Sequence, residues 1–149
     1  MLDNVDKKIL RILQQNAKIS VKELSSIIDM SQPAVSERIR KLEKNSYIEK
    51  YTIKLNDKKF DKHFTCFCFV VLKSPGEPCE KEFRDYVKRT NDIRECYCVA
   101  GPYEYLVKIV TKSPETLEGI LSEMRKECAV KSYSHPALSA VKEVTDFNI

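Results

Sequence analysis

The chain is short of the residues and runs that several protein classes require. Its 149 residues include two histidines, three glycines and no tryptophan. It contains no run of about 18 apolar residues, which excludes a helical membrane span. The N-terminus has no basic-then-apolar stretch of the signal-peptide kind, so a cytoplasmic location and no membrane partner are expected. His63 and His135 are the only side chains whose ordinary titration falls near neutral pH. No Ser/His/Asp set, phosphate loop or metal-ligand run accompanies them, so structural or surface roles are expected. Neither a metal nor a cofactor is expected, and an enzyme is not the leading class.

Cysteine is not scarce, but six cysteines without an export signal read as thiols rather than a disulfide framework. Cys66/Cys68 and Cys96/Cys98 each form a C-x-C pair within a β-like stretch. Alternate residues of a strand lie about 6–7 Å apart on one face, poor geometry for two ligands of one zinc. Buried small hydrophobes are the expected role.

Hydrophobic content of 42% supports a core, and 32% charged residues suit a soluble protein. The net charge is +4, and its distribution is uneven. Residues 1–55 carry 11 Lys+Arg against 7 Asp+Glu, whereas residues 56–149 carry 15 of each. A basic head on a neutral body suggests a polyanion-binding module joined to one with another task.

Periodicity fills in the head. Asp3 can cap a helix whose inner face is Val5, Ile9, Ile12 and Leu13. Ser20 and Glu23 form a capping box ahead of Val21, Leu24, Ile27 and Ile28. Ser31 caps a third helix running to Lys44, with Val35, Ile39 and Leu42 on its back. Pro33 sits in its first turn, where a missing N–H costs little. At 100° per residue, Ser36, Glu37, Arg40, Lys41 and Lys44 fall on the outer face. Three short helices, the last two tightly joined, make a helix-turn-helix. Tyr47–Leu55 alternates apolar and polar residues and reads as a winged or linker strand. The polar run from Asn56 to Lys62 marks a boundary. The expected division is therefore a DNA-binding domain at 1–55, a hinge at 56–63 and a second domain at 64–149.

The second domain reads as strand 64–73, helix 79–89, strand 93–100, strand 103–111, helix 113–128 and strand 131–144. That βαββαβ order is ferredoxin-like, and the fold class is α+β. The first strand is apolar on both faces, with Phe64, Cys66, Cys68, Val70 and Leu72 on one and Phe67, Phe69 and Val71 on the other. Two helices cover one sheet face, and a second copy of the chain is the simplest cover for the other.

In its motifs the chain resembles the Lrp/AsnC (leucine-responsive regulatory protein) family of bacterial and archaeal transcription regulators. In the head the resemblance rests on Leu2-Asp3-x-x-Asp6-x-x-Ile9-Leu10, Ser20-x-x-Glu23-Leu24 and Ser31-x-x-x-Val35-x-x-Arg38-Ile39-x-x-Leu42-Glu43, followed by Ile48. In the body it rests on Cys96-Tyr97-x-Val99-x-Gly101-x-Tyr103-Glu104-Tyr105-Leu106-x-Lys108. It implies a head that binds double-stranded DNA and an αβ-sandwich that dimerises, assembles further to an octamer or similar, and binds a small amino acid. The family carries glycine where Ser46 stands and aspartate where Glu104 stands. Asn45 is expected to take the left-handed turn in place of that glycine.

The DNA-contacting residues are expected to be Gln32, Pro33, Ser36, Glu37, Arg38, Arg40, Lys41, Lys44, Lys50 and Lys54. Gln32, Ser36 and Arg40 can reach base edges, whereas Lys41, Lys44, Lys50 and Lys54 suit phosphates. Arg38 lies at the flank and is expected to hold a phosphate or brace the fold. The effector pocket is expected around Gly101, Tyr103, Glu104, Ser132 and Ser134, with the Glu104 carboxylate meeting an α-ammonium group. Two other classes fit the same scaffold. One is an architectural protein that bends or wraps DNA. The other is a sirohaem decarboxylase of the Lrp-like kind, for which His135 and Arg94 would be the residues.

Overall fold

The computed structural model describes residues 2–74, 76–144 and 149. It forms two compact units, Met1–Lys54 with Lys142–Ile149, and Leu55–Val141. Residues 142–144 and Ile149 thus group with the head, whereas the sequence places them in the second domain. The Ile149 carbonyl accepts a hydrogen bond from Arg11, and its side chain packs against the head's core.

The head's three helices are α1 (Asn4–Gln15), α2 (Val21–Ile28) and α3 (Gln32–Lys44). Asp3 and Asp6 form a capping box at α1, and Ser20 and Glu23 form one at α2. The Ser31 hydroxyl accepts the Ala34 N–H at the start of α3. These contacts satisfy N–H groups that each helix start leaves without partners. Asp29, left-handed at φ 57°, closes α2 so that α3 starts after a short turn. Ile9, Leu10, Leu24, Val35 and Leu42 form the buried core. Ile27, expected inward, is half exposed. The buried stripe of α2 runs through Leu24 and Ser25 with Val21 and Ile28 packed beside it, leaving Ile27 on the flank.

After α3 the chain turns at Ser46, with φ 58°, while Asn45 keeps a negative φ of −91°. The left-handed residue is therefore Ser46 itself and not Asn45. Its N–H donates to the Glu43 carbonyl, and the Tyr47 N–H donates to that of Leu42, closing the helix end. Only one residue can occupy the left-handed slot of this turn, and a Cβ there costs about 1–2 kcal/mol. Ser46→Gly is expected to stabilise the head by about 0.5–1 kcal/mol, the gain being reduced by glycine's greater freedom when unfolded. A thermal transition raised by about 4 °C would show it; an unchanged or lowered one would count against this strain.

Tyr47–Leu55 is not a strand. It has no ladder partner among the described residues, and a strand without a partner leaves its N–H and C=O groups to water. Ile53 is 70% exposed, and Tyr47, Tyr51 and Leu55 are about half exposed. Tyr51 is nonetheless tied back to α3, its hydroxyl donating to Glu43 Oε1 at 2.9 Å. Partial burial, with the Glu43 carboxylate second, pushes the Tyr51 hydroxyl up to about 12.

In the second unit a short 3-10 turn (Asp57–Phe60) leads into β1 (Phe64–Leu72). There follow α4 (Glu77–Arg89), β2 (Ile93–Cys98), β3 (Tyr105–Thr111), α5 (Pro114–Glu127) and β4 (Val130–Pro136). The sheet order is β2-β3-β1-β4, with every pair antiparallel. This is the expected ferredoxin-like arrangement. Cys66, Cys68, Val70, Leu72, Val107 and Ile109 pack against Phe83 and Tyr86 of α4 and Leu117, Leu121 and Met124 of α5. Tyr86 is buried with its hydroxyl donating to the Ile120 carbonyl at 2.9 Å, which satisfies its polar end inside the core.

The strands are shorter than the alternation suggests. β4 stops at Pro136, not Val144, because β1, its only partner among the described residues, is running out there. Cys66 pairs Pro136, the Ala137 N–H donates to the Thr65 carbonyl, and β1 itself begins at Phe64. β2 ends at Cys98 and carries an irregularity between Ile93 and Glu95. Cys98, expected buried, is exposed because it ends an edge strand; Cys66 and Cys68, on central β1, are fully buried. No helix of the described residues is long and apolar enough to cross a membrane.

Candidate functional site

Of the residues expected to touch DNA, Gln32, Pro33, Ser36, Arg40, Lys41 and Lys44 are exposed on α3. Glu37 lies among them, partly exposed. Arg40 Nε donates to Glu37 Oε2 at 3.0 Å, and Arg40 Nη2 donates to Glu37 Oε1 at 3.0 Å. Lys41 Nζ stands 3.8 Å from Glu37 Oε1. The Arg40 hydrogen bonds hold the Glu37 carboxyl below its ordinary range and raise the guanidinium. Lys44 and Lys50 are exposed, and Lys54 Nζ lies 3.4 Å from Glu143. The face is thus cationic but threaded by one acid.

Arg38 is engaged elsewhere. Its Nη1 reaches Asp3 Oδ2 and Asp6 Oδ1, each at 2.6 Å. Both acids are the caps of α1, so one guanidinium ties α3 to the start of the first helix. The Asp3 carboxyl is held below its usual range, first by the Asp6 N–H and then by Arg38. Of the two roles open to Arg38 in the sequence, this geometry is that of a brace. Nothing in the spacing marked Asp3 and Asp6 as its partners, because 35 and 32 residues separate them from it.

The expected effector residues divide between the two faces of the sheet. Tyr103 stacks on Phe69, ring centroids 4.7 Å apart, and meets Tyr133 at 5.6 Å. His135 meets the edge of Phe69 at 5.6 Å. These rings lie on the face opposite the helices. Ser132 and Ser134 pair Val70 and Cys68, whose side chains point into the helix-covered core, so both hydroxyls face the other way. The Ser132 hydroxyl accepts from Arg125 Nη1 at 3.3 Å. A one-residue offset on a strand decides the face, and the sequence did not carry the register between β1 and β4.

Gly101 takes φ 127°, a conformation in which a side chain would be strained, and opens the turn before β3. Three residues on, Glu104 Oε2 accepts the Leu72 N–H at 3.2 Å, while the Glu104 N–H donates to the Val70 carbonyl. The expected ammonium-binding carboxylate therefore also caps the end of β1. A carboxylate offers about four lone-pair sites, so this bond leaves capacity for a ligand.

Sequence reasoning did not single out Phe69, Tyr133 or Arg125 as neighbours of these residues. Alternation within each strand could have grouped Phe67 with Phe69, and Tyr133 with His135. Only the register of β1 against β4, which sets Phe67 beside His135 and Phe69 beside Tyr133, unites the two sets. His135 and Arg94 lie on β4 and β2, the two edges of the sheet, with β1 and β3 between them. Three strand spacings put them about 14 Å apart or more.

Residues 2–43 match the AsnC-type helix-turn-helix domain, and residues 65–147 match the Lrp/AsnC ligand binding domain. The chain is 33% identical over 120 residues to the HTH-type transcriptional regulator YezC of Bacillus subtilis, covering 80% of this chain and 83% of that one. It is 33% identical over 114 residues to the leucine-responsive regulatory protein of Escherichia coli K12, covering 76% and 68%. Its fold matches the transcriptional regulator NMB0573 of Neisseria meningitidis, solved as a complex with L-Met, at a TM-score of 0.93 over 99% and 97% of the two chains. The identity there is 20%, so this likeness speaks for the fold alone.

Proposed function

Because the chain belongs to the Lrp/AsnC family of DNA-binding transcriptional regulators, we propose that α3 lies in the DNA major groove while the second unit pairs two copies and takes an amino-acid-like effector. The observation that carries the DNA part is the capped, basic-fronted α3, fixed at the flank by Arg38 and presenting Ser36, Arg40, Lys41 and Lys44 outward. Ser36 and Arg40 stand where base edges can be read. Lys44, Lys50 and Lys54 serve phosphates, which position the protein without reading sequence.

Pairing rests on the uncovered sheet face. Phe67, Tyr97 and Tyr133 are substantially exposed there, beside Phe69 and Leu106. A second copy is the simplest cover, and larger assemblies follow if dimers meet through other surfaces. Two α3 helices then meet two half-sites, which predicts a partly symmetric operator. The effector reading rests on the family's ligand-binding domain and on the Gly101–Glu104 turn, which carries both Tyr103 and the Glu104 carboxylate. The expected setting is the cytoplasm.

The test measures affinity for a selected operator and for random duplex at one salt concentration, with and without each common amino acid. A large specific-to-random ratio supports regulation; a ratio near one supports an architectural role instead. An amino acid that changes affinity or assembly supports the effector reading, and silence from all of them removes it. Lys44→Ala is expected to lower the slope of log affinity against log salt by about one, uniformly across sequences. An unchanged slope would take Lys44 off the phosphate surface.

A further inference from the structure

We propose that Glu37 is a positioning residue that holds Arg40 in the orientation that reads a guanine. This rests on α3 being the helix that enters the groove. Stepping 100° per residue puts Pro33, Glu37, Arg40 and Lys44 at the centre of its outer face. An acid at that place faces a polyanion, and a bare carboxylate there would oppose binding. Glu37 is not bare: it accepts from Arg40 Nε and Nη2, both at 3.0 Å, and Lys41 stands 3.8 Å away.

The atoms used are what matter. A guanidinium has five N–H donors in a rigid plane. Glu37 takes one on Nε and one on Nη2, along the side of that plane. The end of the fork, one N–H on Nη1 and the second on Nη2, is left parallel and pointing along the side chain. Guanine is the base that offers two neighbouring acceptors, O6 and N7, in the major groove. Adenine offers N7 beside an amino donor, which the fork meets as donor against donor. A free arginine on a helix surface samples many rotamers, and part of that freedom is lost before DNA arrives when both Arg40 bonds are made. The ionised state of the pair is secure at neutral pH, since its hydrogen bonds push the acid down and the base up.

The experiment is binding-site selection from random duplex with the full-length protein, followed by titration of the selected operator. Wild type, Glu37→Gln, Glu37→Ala and Arg40→Ala are compared. Wild type is expected to select one guanine in each half-site, and Arg40→Ala to lose preference at that position alone. Glu37→Ala is expected to reduce the preference there by about tenfold, within the range of one bidentate base contact. Because it removes a negative charge, it should at the same time tighten binding to random duplex. Opposite movements of specific and random affinity are not what a loosened helix would produce. Glu37→Gln, which can still accept one bond from Arg40, should fall between the two. Replacing the selected guanine by 7-deazaguanine should weaken wild type and leave Glu37→Ala nearly unaffected. A guanine preference intact in Glu37→Ala overturns the proposal, because Arg40 then reads unaided. So does a cytosine preference that depends on Glu37 and survives Arg40→Ala, because Glu37 then reads a base itself. If Arg40→Ala selects the same sites as wild type, the reading of α3 fails, and this role for Glu37 fails with it.

Discussion

With two copies paired through the uncovered sheet face as proposed, Phe67→Glu is expected to leave a monomer at micromolar concentration. It is also expected to weaken binding to a two-half-site operator by about 100-fold, the scale set by losing the second of two linked contacts. Phe67 sits on β1 opposite Lys108 and His135, on the sheet face away from the helices, and is 39% exposed in the single chain. In a two-fold dimer each substitution appears twice across a self-complementary surface. Two carboxylates would then have to leave water to cover an aromatic face, at a cost of several kcal/mol unless each finds a partner. The helix-covered core is made of Cys66, Cys68, Val70 and Leu72 and does not use Phe67, so the unit should remain folded. Sedimentation velocity and operator titration, beside a thermal melt, separate the effects. A dimer that persists with unchanged affinity would place the pairing surface elsewhere, with the exposed apolar side chains of Tyr47–Leu55 the next to test.

Arg38→Ala is expected to destabilise the head by about 2 kcal/mol while leaving the salt slope of DNA binding as it was. Arg38 makes two charge-assisted bonds, a class worth about 1.5–3 kcal/mol each when intact. The Arg38 side chain is 29% exposed, Asp6 17% and Asp3 50%, so the loss rests mainly on the Asp6 bond and solvent screening holds it well below that of two buried bonds. For a unit of this size the shift in the thermal transition is on the order of 10 °C. A phosphate contact would give the reverse pattern, a slope lower by about one with little change in the melt. The Asp3 carboxyl, lowered first by the Asp6 N–H and then by Arg38, gives the brace a share in a pH signature. The folded state holds the Asp3 carboxyl below its unfolded value. Its contribution is therefore complete above the unfolded carboxylate value near 3.8 and is lost as pH falls through the lowered, folded one. Acid should weaken wild type more than Arg38→Ala over that window.

Much of this molecule follows from local chemistry that a sequence displays. Asp3, Ser20 and Ser31 each cap the helix that the sequence assigns to them, because a cap is decided by the residues within one turn. The alternation of Cys66 to Leu72 against Phe67 to Val71 set the two faces of β1 in advance, because the side-chain period of a strand is two. The basic outer face of α3 came from the same counting. Where Ser46 stands in place of a glycine, the backbone still takes a left-handed turn, at Ser46 itself rather than at Asn45.

What the sequence could not determine depends on which strand lies beside which. Extended runs at Tyr47–Leu55 and beyond Pro136 have strand-like composition, but a strand exists only where a partner supplies its hydrogen bonds. Register placed Ser132 and Ser134 on the opposite face from Tyr103, a separation of sheet faces that no spacing along the chain records. Distance in sequence hid the Arg38 brace for the same reason, since ion pairs form by proximity in space. Local rules therefore determined the helices, their caps and their faces, while tertiary structure alone decided which charged and polar groups on those faces meet.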